Sequence, residues 1–472
     1  MNEAETPVAH EQPSKPRASA PDLTSGSVPR TLLRLGWQSV AAYTLWEGGE
    51  LVALICFAQL GMVSVAAYGF ALPLMLFVWG IAGLTLAAGA QTFFSNADDD
   101  EVSRYFVHFL ALFTIVAVVA GGLWWTFSEP LWRLAGAGDD VIGPLNEFLA
   151  VYALIYPLTA VTTIGPMMMA NRGIVGPIAG HVALASIIVI VGYPVFILGL
   201  GPIPELGLAG LAVSIGVGRT YMLFALFRVA SKQGLWRRPA GGWFDRIGDS
   251  WAGIVGAIGW HGVLKHVFHG SIMVIVVRLV SEFGTDAVAA FIIGNRVGVV
   301  ATVLPACAAI GLAPMVSQAW KGGLLDRVRE VLNWGEVFAL ASAILSCGFV
   351  VLVAPWIVEY FVPNDDADLR RMLRIVVIMF PAIWCMQVLA APGVQVLKAL
   401  DVRNADIAMS LFQVIAITLF CGLGTWWIGT FDGVFTGYLC GVVLYAAASS
   451  LAARRLLGRR QSSTTSSSNA GV

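Results

Sequence analysis

Two glutamates three residues apart, Glu47 and Glu50, stand inside an apolar stretch that runs from about residue 32 to residue 58. On a helix that spacing puts both carboxylates on one face. Counted from Gly36 at ~1.5 Å per residue they lie about 16 to 21 Å along it, close to the middle of a bilayer. A carboxyl group sheltered from water can hold a proton near neutral pH and give it up to a cation or an aqueous phase, which is the chemistry proton antiport requires. The other role open to the pair is a fixed salt bridge, with Arg219, halfway along the sixth apolar stretch, as the expected partner. Farther on, His261, Lys265 and His269 recur every four residues and form a stripe that drifts only ~40° per step, with His266 off it. Such a stripe suits a proton relay or an anion-attracting wall, or else a snorkelling Lys265 and an interfacial His261. Arg296 sits some ten residues into the eighth stretch and adds to the basic character of the second half. Trp46 adjoins the acids, and an aromatic face attracts organic cations. Pro157 and Pro381 occupy matching places in the fourth and tenth stretches, where a kink can serve as a hinge. No third acid or cysteine keeps metal-ligand spacing with the histidines, so no metal and no cofactor is expected, only a coupling ion, for which the buried carboxyls suit H+.

The elements that must hold these residues are set by composition. The chain is 58% hydrophobic and 12% charged, with a mean hydropathy of +0.79, whereas soluble domains carry roughly 25% charge. Apolar runs recur near 32–58, 64–94, 104–126, 143–170, 177–199, 207–230, 252–281, 286–318, 331–354, 370–397, 405–428 and 432–455. Each is long enough to cross a hydrocarbon core. The expected fold is therefore all-α and integral to the membrane, with twelve transmembrane helices in two six-helix lobes. Residues 1–31 read as a disordered tail, 32–231 as the first lobe, 232–250 as an interlobe linker, 251–456 as the second lobe and 457–472 as a second tail. Most Lys and Arg outside the spans fall on the side of both termini, which the positive-inside rule makes cytoplasmic, in a multi-pass inner-membrane protein. A net charge of −1 gives no field for nucleic acid. All six cysteines fall within spans, scattered without metal spacing.

The halves repeat. Gly36-Trp37 and Gly259-Trp260 are 223 residues apart, as are Gly61 and Gly284, and Val65-Ala66-Ala67 and Val288-Ala289-Ala290. Six spans per half is an even number, so both copies share one orientation and are related by an axis along the membrane normal. Twofold symmetry about a central cleft suits alternating access.

The segments Gly61 to Leu74 (GMVSVAAYGFALPL), Phe283 to Arg296 (FGTDAVAAFIIGNR), Pro204 to Ser214 (PELGLAGLAVS) and Asp326-Arg327-Val328-Arg329, in that order, resemble the multidrug and toxic-compound extrusion (MATE) family of the oligosaccharide-exporter superfamily over residues 32 to 456. The resemblance implies a V-shaped pair of six-helix lobes that exports organic compounds against inward flow of protons or sodium ions. Many members carry an Asp in span one where this chain has Ala53, with Glu50 one turn earlier. Span seven here offers only bases where others carry Glu, and span ten has no acid past its outer end, which points away from sodium coupling in the second lobe. The expectation is a proton-coupled exporter, monomeric, of small cationic, zwitterionic or partly anionic organic substrates, with an acidic first lobe and a basic second one. The alternative within the superfamily is a flippase for a lipid-linked precursor, against which the absence of an extra pair of spans weighs. An enzyme is not expected: the loops contain no HExxH, no GxSxG and no phosphate-binding glycine loop. A channel would conduct without saturation, whereas a carrier turns over.

Overall fold

The structure is a computed structural model that describes residues 23–87, 90, 99–171, 174, 176–236, 242–362, 366–400 and 405–469. Among the described residues there is no strand. Seven helices make up the first half: α1 (Val28–Leu60), α2 (Met62–Trp79, prolonged by a π-helical turn at Gly80–Leu84), α3 (Asp99–Thr126), the short α4 (Ser128–Leu134), α5 (Asp139–Asn171), α6 (Gly176–Ile197) and α7 (Gly207–Lys232). The second half comprises α8 (Ile247–Ser281), α9 (Thr285–Ala301), α10 (Val303–Lys321), α11 (Leu325–Phe361), α12 (Ala367–Leu389), α13 (Ala391–Ala399), α14 (Ala405–Ile428) and α15 (Phe431–Asn469). Eleven of the described segments are long and apolar enough to cross a membrane. The 33-residue α1, which carries the two glutamates, also has the length.

The sequence repeat is written into the backbone. Gly61 ends α1 with φ 108° and ψ 167°, and Gly284, its counterpart, ends the α8 connection with φ 99° and ψ 175°. No atom lies within 4 Å of where a Cβ would stand at either glycine, so glycine is required there by the dihedrals alone. The same offset carries Trp79-Gly80, where α2 passes into its π-helical turn, onto Thr302-Val303, where α9 gives way to α10. Each half thus interrupts its second long helix at the equivalent place. Pro157 and Pro381, the expected hinges, lie inside α5 and α12 without ending either helix. The break in the tenth stretch falls at Ala390, before Pro392.

Within the first half α5 and α6 pack on α7, and α3 packs on α5; within the second, α9 packs on α12, and α14 on α15. The seam is made by α1 and α2. The first contacts α6 in its own half and α10 across the divide; the second contacts α9 and α8. At the end of the bundle away from the termini the halves approach closely. A Cβ on Gly69 of α2 would stand 3.0 Å from Val288 Cγ1 and 3.4 Å from Ile292 Cβ of α9, and Thr285 Oγ1 donates to Asp140 Oδ2 at 3.0 Å.

Three expected boundaries move. The first tail was drawn to residue 31, but α1 begins at Val28, with Pro29 in its first turn. Leu23, Val28 and Leu32 are buried against Leu312, Met315, Val331 and Leu457 of the second half. Leu23 N–H donates to Gln318 Oε1 at 3.0 Å, and Arg327 Nη2 donates to the Gly26 carbonyl at 2.7 Å. Burying those apolar side chains is what orders the segment; residues 1–22 lie outside the described residues. The second tail was drawn from 457, yet α15 continues to Asn469. Leu457 is buried, and no proline follows to stop the helix. The linker narrows because α8 starts at Ile247, one turn before the expected span. It docks on α3: His108, fully buried, meets Ser250 Oγ through Nδ1 and the Trp243 carbonyl through Nε2, both at 2.8 Å, and Trp251 Nε1 donates to the His108 carbonyl at 2.9 Å.

Candidate functional site

Glu47 and Glu50 share the face of α1 that turns into the seam. Facing them are Tyr68 from α2 and Arg296 from α9. Arg296 Nη2 donates to Glu50 Oε2 at 3.0 Å and to the Tyr68 hydroxyl at 2.6 Å, and that hydroxyl donates in turn to Glu50 Oε2. The guanidinium also lies over the Tyr68 ring, 5.4 Å from its centroid. Its Nη1 is 3.7 Å from Glu47 Oε2, too long for a hydrogen bond, and Glu47 Oε2 has no hydrogen-bond partner. Arg296 Nε is likewise buried and unpartnered. The side chains of Arg296, Glu47 and Glu50 are 7%, 9% and 16% exposed, and Tyr68 is fully buried. Phe57 packs on the Tyr68 ring, centroids 5.2 Å apart.

Two sequence expectations change here. Arg219 was the expected partner of the glutamates; it lies on α7 beside Tyr152 and Tyr193, and the cation that meets the acids is Arg296 of the other half. The error came from seeking a partner within one lobe, whereas α1 runs along the seam and is reached from both. Arg296 was also counted towards a basic second lobe, and its charge is instead matched by the acids of the first.

On α8, Lys265 is half-buried and His269 exposed. The Gln413 amide on α14 is hydrogen-bonded to the His269 ring. His266, off the stripe, points across the seam, with Nδ1 3.2 Å from Thr85 Oγ1 of the first half and 2.9 Å from the Gly262 carbonyl. Trp46 and His261 lie in α1 and α8, but outside the residues whose side chains are described. Trp384 on α12 donates from Nε1 to Oδ1 of the buried Asn295 at 2.9 Å. Glu336 lies well inside α11, where it pairs with Arg454 and accepts from Ser450 at 2.6 Å.

Sequence reasoning missed Tyr68, Thr85 and Gln413. Each is a hydrogen-bonding side chain in an apolar run, and Tyr68 stands where the repeat places Phe291. A hydroxyl added to one copy of a symmetric pair is the signal that was available. Among the described residues no group of His, Cys, Asp and Glu has the arrangement of a metal site.

The MatE family model matches residues 39–197 and 264–396, one segment in each half. The chain belongs to this family of transporters. MATE proteins of known structure share its fold: an inward-facing multidrug resistance MATE family transporter of the MOP superfamily superposes with a TM-score of 0.78 at 16% identity, covering 92% of this chain and 99% of that one. Among curated relatives, the "FAD transporter" of Shewanella oneidensis is 23% identical over 323 residues, 67% of this chain and 71% of its own length. The "Probable multidrug resistance protein NorM" of Deinococcus radiodurans is 25% identical over 363 residues, 74% of this chain and 77% of its own. The expected MATE membership and two-lobe all-α membrane fold therefore hold, and the chain is a multi-pass MATE transporter.

Proposed function

We propose that this MATE protein exports small organic compounds by proton antiport, with Glu47 and Glu50 as the proton-binding groups. The observation that carries this is the composition of the buried cluster: two carboxyls share one guanidinium. With both acids ionised the cluster holds one uncompensated negative charge in a site closed to water, which costs several kcal/mol, on the order of 3–5. One proton neutralises it. Glu50 accepts from both Arg296 and Tyr68, whereas Glu47 Oε2 accepts from nothing, so Glu47 is where the first proton sits. A second proton, on Glu50, removes the ion pair that joins the halves. Proton binding is thereby tied to separation of the lobes at the end where Gly69 meets Val288, and alternating access needs such a tie.

The substrates in this reading are small organic compounds, which is supported by relatives named as an FAD transporter and as a probable multidrug resistance protein. The protein works as a monomer in the inner membrane with both termini in the cytoplasm, where the excess of Lys and Arg lies. The test is proton counterflow. In proteoliposomes carrying an internal pH dye, ethidium or FAD added to one side should drive protons the opposite way. Substrate movement with no proton movement would remove the coupling.

A further inference from the structure

The face of α8 that carries Lys265 and His269 continues away from the termini through Ile272, Val276 and Val280, all of which are buried. His269 is exposed on that same inward face, so open space reaches it from within the protein and not from the lipid side. Across from it, Gln413 of α14 is only 3% exposed, and while its amide is hydrogen-bonded to His269, its Nε2 has no hydrogen-bond partner. An unsatisfied buried amide donor costs about 1–3 kcal/mol and calls for an explanation. A ligand that brings an acceptor to that place supplies one.

The surrounding groups define the ligand. Lys265 and His266 lie within electrostatic reach of the His269 ring. From Ser250 to Ser281 α8 contains no acid, and the acid of α14, Asp406, is about two turns from Gln413. The Lys265 ammonium and the free Gln413 N–H only donate, and the imidazole donates from both nitrogens when it is protonated. Such a set attracts and hydrogen-bonds an oxyanion, and the Lys265 charge opposes a cation. We propose that Lys265, His269 and Gln413 form a subsite for an oxyanion group, phosphate or carboxylate, of the transported compound. That the anion belongs to an exported compound rests on the function proposed above; that an anion binds there does not.

The test follows the His269 ring by nitrogen NMR in proteoliposomes of the full chain, its resonance identified by its loss in His269→Gln. Separate arms add inorganic phosphate, add acetate, or replace phosphatidylcholine by phosphatidylglycerol. A saturable shift of the His269 signal with phosphate or acetate is expected, and which of them acts names the oxyanion. The shift should vanish in Gln413→Glu, which keeps the side-chain shape and opposes an anion; Lys265→Gln, a milder change, should weaken the midpoint at least threefold. No shift with either anion would overturn the proposal, as would a response to phosphatidylglycerol alone, which would make this a lipid-headgroup site. Phosphate binding without proton counterflow would keep the subsite and remove the coupling; counterflow without a shift at His269 would do the reverse.

Discussion

Arg296 in the second half of the chain donates from Nη2 to Oε2 of Glu50 in the first at 3.0 Å. One ion pair, bridged by the Tyr68 hydroxyl, ties the two lobes together inside the membrane fold.

Removing one partner should cost more than removing both. Arg296→Gln leaves two acids facing each other in a buried site and should lower stability by roughly 3–5 kcal/mol. Glu50→Gln combined with Arg296→Gln should recover at least about 1 kcal/mol of that loss, as directly contacting residues do in double-mutant cycles. Thermal unfolding of the four proteins in detergent gives the numbers, and strict additivity would show that the pair is not coupled.

The Tyr68 hydroxyl both accepts from Arg296 and donates to Glu50. Tyr68→Phe keeps the ring and its contact with Phe57 while removing both bonds, so a loss of about 1–3 kcal/mol is expected from the hydroxyl alone. A change below ~0.5 kcal/mol would mean that Arg296 and Glu50 hold each other without it.

Removing the Glu50–Arg296 pair should open the end where α2 meets α9. The pair joins the two halves, and Glu50→Gln takes away its charge without adding bulk. Spin labels on the exposed positions Glu147 and Asp286 read the separation between the halves. Their distance should be longer in Glu50→Gln than in the unaltered protein, and an unchanged distance would mean that the pair does not hold the halves together.

Crowding at the seam gives a test free of charge. A Cβ on Gly69 meets Val288 Cγ1 at 3.0 Å and the Val288 carbonyl at 3.3 Å, so Gly69→Leu forces α2 away from α9 and should cost about 1–3 kcal/mol. Gly61→Ala meets no neighbour and should still cost roughly 1–3 kcal/mol, from its backbone dihedrals alone. The first variant should lengthen the Glu147–Asp286 distance and the second should not.

Much of the fold was legible because a membrane makes strict demands. Backbone polar groups must be satisfied within each segment, so long apolar runs become helices, and the offset between Gly61 and Gly284 survives as matching dihedrals. The acids were legible for the same reason: a charge in an apolar span needs a partner or a task, and Glu47 and Glu50 stood out by type alone. Their partner was not legible. Arg296 lies 246 residues from Glu50, and nothing local says that α1 faces α9. The interruption at Thr302 was overlooked although Pro305 signals it: the proline has no N–H for the Ala301 carbonyl and its ring crowds that carbonyl, so α9 ends at Ala301 and α10 begins at Val303. The docked segment from Leu23 was missed because its surroundings are polar, and its few apolar side chains find their contacts only on the opposite half.

The central claim is that the two acids of α1 couple proton movement to transport. It is tested most directly in everted vesicles by ethidium and FAD uptake under an imposed proton gradient, comparing the unaltered protein, Glu47→Gln, Glu47→Gln with Glu50→Gln, and that double variant carrying Arg296→Gln so that no buried cation is left unmatched. Uptake that no longer responds to the gradient once both acids are gone, in protein that still folds and inserts, is the predicted result. Gradient-driven uptake that persists undiminished in the double and triple variants would contradict it.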